Sequence, residues 1–131
     1  MFSVVTTIAQ RSTCEKLQVG AVIALAGRIL STGYNGAPAG LPHCLAVGCE
    51  IFGDHCVRTV HAEANAVAWA ARYGVPVGGA DLFCTDAPCL DCSKLLVNAG
   101  IKRVYYKRAY HDIRGLKLLM AATVETYGPT S

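Results

Sequence analysis

The sequence predicts an α/β sandwich, on three observations. Strands and helices alternate from residue 61 onward, which indicates parallel pairing through crossover helices. Before that, two apolar segments are joined by a two-residue turn and read as a hairpin. The length of 131 residues suits a single domain, 1–131, able to hide roughly two-thirds of the surface its unfolded chain exposes.

Phe2, Val5 and Ile8-Ala9 recur at helical spacing, so the first dozen residues form a short helix ending near Ser12-Thr13. Val19 to Leu25 is a continuous apolar run with β-branched members. Ala26-Gly27 turns the chain, and Arg28 to Tyr34 alternates as the second strand of the hairpin. Between Asn35 and Cys56, Gly36, Pro38, Gly40, Pro42, Gly48 and Gly53 interrupt any period. A loop of about 20 residues in a compact domain is functional or is held by something else. His61 to Tyr73 is an Ala-rich helix ended by Gly74 and Pro76, and Asp81 to Thr85 is a strand. Pro88 opens a second large helix, with Leu95, Leu96 and Ala99 on its inner side and Gly100 as its stop. Lys102 to Lys107 is the next strand, Ile113 to Met120 a helix, and Ala121 to Thr126 the last strand. There is no internal repeat and no low-complexity tract.

Composition narrows the function. Apolar residues make up 53% and charged residues 16%, which excludes a disordered chain and points to apolar surface buried between subunits. The net charge of +3 is weak for gripping a long nucleic acid but suits one small anionic ligand. The longest apolar run, Ala21 to Ala26, is far short of the ~20 residues that cross a bilayer, so no membrane association is expected. Met1 to Gln10 carries no basic residue ahead of its apolar ones and does not read as a secretory signal. The expected location is cytoplasmic, with thiols kept reduced.

Seven cysteines stand at 14, 44, 49, 56, 84, 89 and 92. An odd number in a reducing compartment favours metal binding or chemistry over disulfides, against the plainer reading of small core residues. His61-Ala62-Glu63 and Pro88-Cys89-Leu90-Asp91-Cys92 both open helices. Cys89 and Cys92, at i and i+3, share one face a turn apart, a separation a tetrahedral ion can bridge. His61 adds a nitrogen. Three protein ligands with an open fourth position describe a catalytic zinc rather than a structural one. Residues i and i+2 lie about 200° apart around a helix, so His61 and Glu63 meet only above the helix N-terminus. There a non-ligating carboxylate is placed to move protons beside a metal-activated water. His-x-Glu followed by Pro-Cys-x-x-Cys is the signature of zinc deaminases acting on cytosine or adenine. The plainer alternative is two buried thiols, a core histidine and a surface glutamate.

Cys14, Cys44, Cys49 and Cys56 flank or occupy the long loop, and four thiolates there would close a structural zinc site and order the segment. His55 could replace Cys56, and His43 could replace Cys44. Cys84, in an apolar strand, is read as core.

The runs Arg11-Ser12-Thr13-Cys14, Val19-Gly20-Ala21-Val22, Gly33-Tyr34-Asn35-Gly36, His61-Ala62-Glu63 with Asn65-Ala66, Pro88-Cys89 with Cys92, and Ala99-Gly100-Ile101-Lys102 closely resemble the deoxycytidylate (dCMP) deaminases of bacteria and phages. The resemblance runs from about residue 2 to the C-terminus. It implies a three-layer α/β/α sandwich with a five-stranded mixed sheet whose last two strands are parallel, and assembly into homo-oligomers, often hexamers. It implies hydrolytic deamination of dCMP to dUMP and ammonia, with Glu63 moving the proton and the Ala62 N–H receiving the pyrimidine O2. Asn35 would read the sugar 3′-hydroxyl, and Ser12, Lys16 and Tyr110 the phosphate. Cys14 and Cys44 match the family's structural zinc, with Cys49 and Cys56 completing it. Activation by dCTP with Mg2+ and inhibition by dTTP would involve the glycine-rich run Gly33 to Gly40, Gly36 included, and the helix positions Trp69 and Arg72, which also fit a packed interface with a stacked guanidinium.

Two other functions compete. One is a zinc deaminase of cytidine, guanine or tRNA adenosine; the cluster Lys102, Arg103, Lys107, Arg108 and Arg114 is the feature a polynucleotide would want. The other is a non-catalytic zinc-stabilised module, for which Glu63 would have no use.

Overall fold

A computed structural model describes residues 1–13, 17–52, 55–56 and 59–129, without the side chains of 45, 51, 52, 55 and 56. Its helices are α1 (Phe2–Ala9), α2 (Cys44–Val47), α3 (Ala62–Arg72), α4 (Leu90–Ala99) and α5 (Arg114–Ala121). Its strands are β1 (Gly20–Leu25), β2 (Arg28–Tyr34), β3 (Ile51–Phe52), β4 (His55–Cys56), β5 (Asp81–Asp86), β6 (Arg103–Arg108) and β7 (Glu125–Tyr127).

The main sheet has five strands in the order β2-β1-β5-β6-β7. The hairpin β1–β2 and the pair β1–β5 are antiparallel, whereas β5–β6 and β6–β7 are parallel, so the sheet is mixed as expected. Successive residues of β1 point to opposite faces. Ala21 and Ile23 join Leu82, Cys84 and Val104 beneath α3, α4 and α5, through Ala66, Leu96 and Leu119. Val22 and Ala24 face the other way, onto Val5 of α1. These are the three expected layers, and Cys84 is core: burial pushes its thiol well up from its ordinary value.

Several boundaries differ from expectation. Helix α1 ends at Ala9, and the chain then crosses to the hairpin: the Ser12 hydroxyl donates to the Asn35 carbonyl at 3.0 Å. The long loop holds the four-residue α2 and the short ribbon β3–β4. Leu95 points outward, 38% exposed, while Leu96 is fully buried. The last strand starts four residues later than read, because α5 continues through Ala121 and Thr123 turns the chain with φ +62°.

One contact places the site. On β2, a Cβ added to Gly33 would lie 2.3 Å from the Ala62 carbonyl oxygen and 2.6 Å from the Ala66 amide nitrogen, so the strand lies backbone to backbone on α3. Two hydrogen bonds bracket the contact: Ser31 donates to the Ala66 carbonyl at 2.7 Å, and Asn65 donates its amide to the Tyr34 carbonyl at 2.8 Å. The first turn of α3 is therefore fixed against the sheet.

Candidate active site

His61 is the N-cap of α3 and Cys89 the N-cap of α4, both in extended conformation. The β5–α4 and β4–α3 connections thus bring two helix starts together at one end of the sheet. The His61 Nδ1 lies 3.4 Å from the Cys89 Sγ and 3.4 Å from the Cys92 Sγ. All three donor atoms lie within 4.8 Å of one another, and among the described residues no other group of three or more His, Cys, Asp or Glu does so.

That spacing tests the fit to a metal. A tetrahedral zinc with Zn–N of about 2.05 Å and Zn–S of about 2.3 Å holds its nitrogen and sulfur ligands about 3.6 Å apart. The observed separations match within about 0.2 Å. The thiol of Cys92 donates to Cys89, which holds the Cys89 thiol down at about 4, aided by His61. The Cys92 thiol, hydrogen-bonded to that sulfur, is pushed up, and the hydrogen bond between His61 and Cys89 raises His61.

Glu63, the second residue of α3, is buried and 4% exposed. Burial pushes its carboxyl up to about 7, opposed by His61 and by a hydrogen bond from Cys92. Ala62 is fully buried at the first helical position, where its N–H has no partner within the helix. The three ligand candidates, Glu63 and Ala62 are therefore assembled in one place.

Asn35 is buried; its Oδ1 accepts from the Val19 N–H at 2.8 Å and its amide donates to the Leu17 carbonyl, leaving one amide hydrogen. The Ser12 hydroxyl lies 3.0 Å from the Asn35 carbonyl oxygen and 3.4 Å from that of Leu17. Tyr110 lies in the β6–α5 connection, its ring 4.3 Å from that of His111. Lys16 and Cys14 lie outside the described residues, as does the Cys56 side chain. Cys44 is buried with Cys49 packed against it, and His43 meets the Thr13 hydroxyl at 2.9 Å.

Gly33, Gly36, Trp69 and Arg72 do come together. They line a groove of about 690 Å³ along β2 and α3 that includes none of the three metal donors. The Arg72 guanidinium sits 5.2 Å from the Trp69 ring, which stacks on Tyr73 at 5.3 Å. Of the basic cluster, Arg103 pairs with Asp81 and Glu125, Arg108 with Asp86 and Arg114 with Asp112, so much of its charge is neutralised. None of the described helices is long and apolar enough to cross a membrane. Sequence reasoning missed Ser31 and gave Asn65 no role of its own, yet both hold α3 in place. The sequence signal for Asn65 was its position two residues after Glu63, on the flank of the same helix.

Comparison with known proteins agrees with this geometry. ComE operon protein 2 of Bacillus subtilis is 48% identical over 103 residues, covering 79% of this chain, and the chain spans only about half of that protein's length, 54%. The deoxycytidylate deaminase of Mycobacterium phage D29 is 40% identical over 117 residues, covering 80% of this chain and 89% of the phage protein. The crystal structure of dCMP deaminase from cyanophage S-TIM5, in complex with dCMP and dUMP, superposes with a TM-score of 0.87 at 35% identity, covering 97% of this chain and 92% of that one. The family described as cytidine and deoxycytidylate deaminase zinc-binding region matches residues 1–108, and with its His-x-Glu and Pro-Cys-x-x-Cys segments joined in one site the chain belongs to that family.

Proposed function

We propose that the chain is a zinc-dependent hydrolase that converts dCMP and water to dUMP and ammonia. The observation that carries this reading is the 3.4 Å spacing of the His61 nitrogen from both the Cys89 and Cys92 sulfurs, with buried Glu63 beside them and outside that group of donors. The substrate rests on the S-TIM5 enzyme, whose structure contains dCMP and dUMP.

His61, Cys89 and Cys92 would hold Zn2+, which when bound acidifies a water and supplies positive charge at the reacting carbon. Glu63 takes a proton from the attacking water and gives it to the ring N3 as oxygen bonds to C4. It then carries the second proton to the exocyclic amine, which leaves as ammonia while C4 becomes a carbonyl. The Ala62 N–H donates to the pyrimidine O2 from the helix end, where partial positive charge favours an oxygen acceptor. Asn35 would face the sugar 3′-hydroxyl with its remaining amide hydrogen, and Ser12, Lys16 and Tyr110 would line the phosphate end.

A second zinc on Cys14, Cys44, Cys49 and Cys56 would order the long loop; the packing of Cys49 on buried Cys44 supports it. The groove lined by Gly33, Gly36, Trp69 and Arg72 is the place we assign to a dCTP or dTTP effector with Mg2+. Exposed Trp69 and Tyr73 favour contact with further copies in a homo-oligomer, a hexamer by resemblance. The two thiol ligands, Cys89 and Cys92, form no disulfide and fit the reducing cytoplasm. Deamination of a tRNA adenosine is disfavoured by the carboxylates paired with Arg103, Arg108 and Arg114.

The test is ammonia release from dCMP, dCTP, cytidine and a tRNA anticodon stem, each with and without dCTP and Mg2+. Turnover confined to dCMP supports the reading. Turnover of the RNA stem, or of none of the four by zinc-loaded protein, refutes it.

A further inference from the structure

The segment that carries Cys89 is held from outside its own helix. The Ala87 N–H donates to the Arg108 carbonyl at 2.9 Å, and Pro88 is fully buried. Over it lies α5. A Cβ added to Gly115 would lie 2.4 Å from the Pro88 carbonyl oxygen and 2.8 Å from both the carbonyl carbon and oxygen of Cys89. All three are backbone atoms that no rotamer change can move aside, and atoms normally pack at about 3.5–4.0 Å. Glycine is among the poorest helix formers, yet it occupies the second position of α5. The start of α5 is itself fixed: the Asp112 carboxylate accepts from the Arg114 N–H at 3.0 Å and from its guanidinium at 2.7 Å.

We propose that Gly115 is a positioning residue for the metal. Its missing side chain lets α5 lie directly on the Pro88–Cys89 peptide and so sets the Cys89 sulfur relative to His61 and Cys92. In Gly115→Ala, helix or peptide retreats by about 1 Å, against ligand distances that zinc tolerates to about ±0.2 Å. The inference rests on the zinc reading above and goes beyond it, because Gly115 touches neither metal nor substrate.

Three proteins are compared, wild type, Gly115→Ala and Lys117→Gly, the last loosening the exposed side of the same helix without touching the Cys89 segment. Zinc affinity is read by competition with a chromophoric chelator, and the cobalt-loaded proteins by their thiolate-to-metal absorption. Gly115→Ala is expected to bind zinc about 10- to 100-fold more weakly and to shift the cobalt spectrum. Lys117→Gly is expected to match wild type in both. Equal affinity and spectrum in Gly115→Ala, or equal weakening in Lys117→Gly, overturns the proposal. Wild type that binds no zinc overturns the metal reading instead. Should Gly115→Ala not fold, hydrogen exchange on wild type decides. Zinc loading must slow the amides of the first turn of α5, Lys117 included, and unchanged exchange there overturns the inference.

Discussion

Replacing Gly33 with alanine tests how the fold aims α3 at the site. The new Cβ would meet the Ala62 carbonyl oxygen at 2.3 Å and the Ala66 nitrogen at 2.6 Å, both backbone. Two responses are open. If strand and helix stay put, the overpacking costs about 1–3 kcal/mol. If they separate by about 1 Å, the Ser31–Ala66 and Asn65–Tyr34 hydrogen bonds, now 2.7 and 2.8 Å, are lost. At about 0.5–1.5 kcal/mol each that loss is again about 1–3 kcal/mol. Either way a large share of the stability typical of such a domain is lost, and Tm falls by roughly 3–5 °C per kcal/mol. Gly78 is the control, because a Cβ there meets nothing within 4 Å and no left-handed φ is required. Gly78→Ala should be neutral or gain about 0.4–1 kcal/mol from a less flexible unfolded chain. Urea and thermal unfolding of both variants give the comparison. A Gly33→Ala protein as stable as Gly78→Ala would refute the close strand–helix contact.

The other expectations concern chemistry and core. Glu63→Gln should lower turnover by about 10²–10⁴-fold with zinc content unchanged; an active variant, or one that loses zinc, removes the proton-carrying role. Cys44→Ser should reduce zinc from two ions to one per chain and lower Tm before it touches the chemistry, and equal zinc by elemental analysis contradicts the second site. Leu96, fully buried one turn beyond Cys92, should cost about 2–5 kcal/mol as alanine, measured by urea unfolding; less than about 1 kcal/mol would place it outside the core. Arg108→Ala breaks an exposed pair with Asp86 and should change stability by less than about 1 kcal/mol.

The part of the site made by local rules was legible in the sequence. The turn that separates Cys89 from Cys92 and the helix start at His61 depend on nearby residues alone and stand as read, whereas Pro88, read as the first residue of its helix, lies one residue ahead of the Cys89 N-cap. The order of strands and helices was legible for the same reason, through periodicity. What depended on a distant partner was not. Nothing around Gly33 or Gly115 announces that another backbone lies against it, because the partners are dozens of residues away or on a different helix. Leu95 and Leu96 are both apolar, and only the direction in which α4 packs decides which is buried. The four-residue α2 and the β3–β4 ribbon are too short for a period to show. The ion pairs of the basic cluster were not legible because Asp81 and Glu125, which meet Arg103 across the sheet, belong to neighbouring strands rather than neighbouring positions.

The central claim is that His61, Cys89 and Cys92 grip one zinc with Glu63 beside it but not on it. Diffraction from zinc-loaded crystals at wavelengths either side of the zinc absorption edge tests this directly. The account predicts an anomalous peak about 2.0–2.3 Å from the His61 Nδ1 and both sulfurs, with the Glu63 carboxylate outside bonding distance. A peak elsewhere with these three donors bare, or the Glu63 oxygen among the ligands, would contradict it.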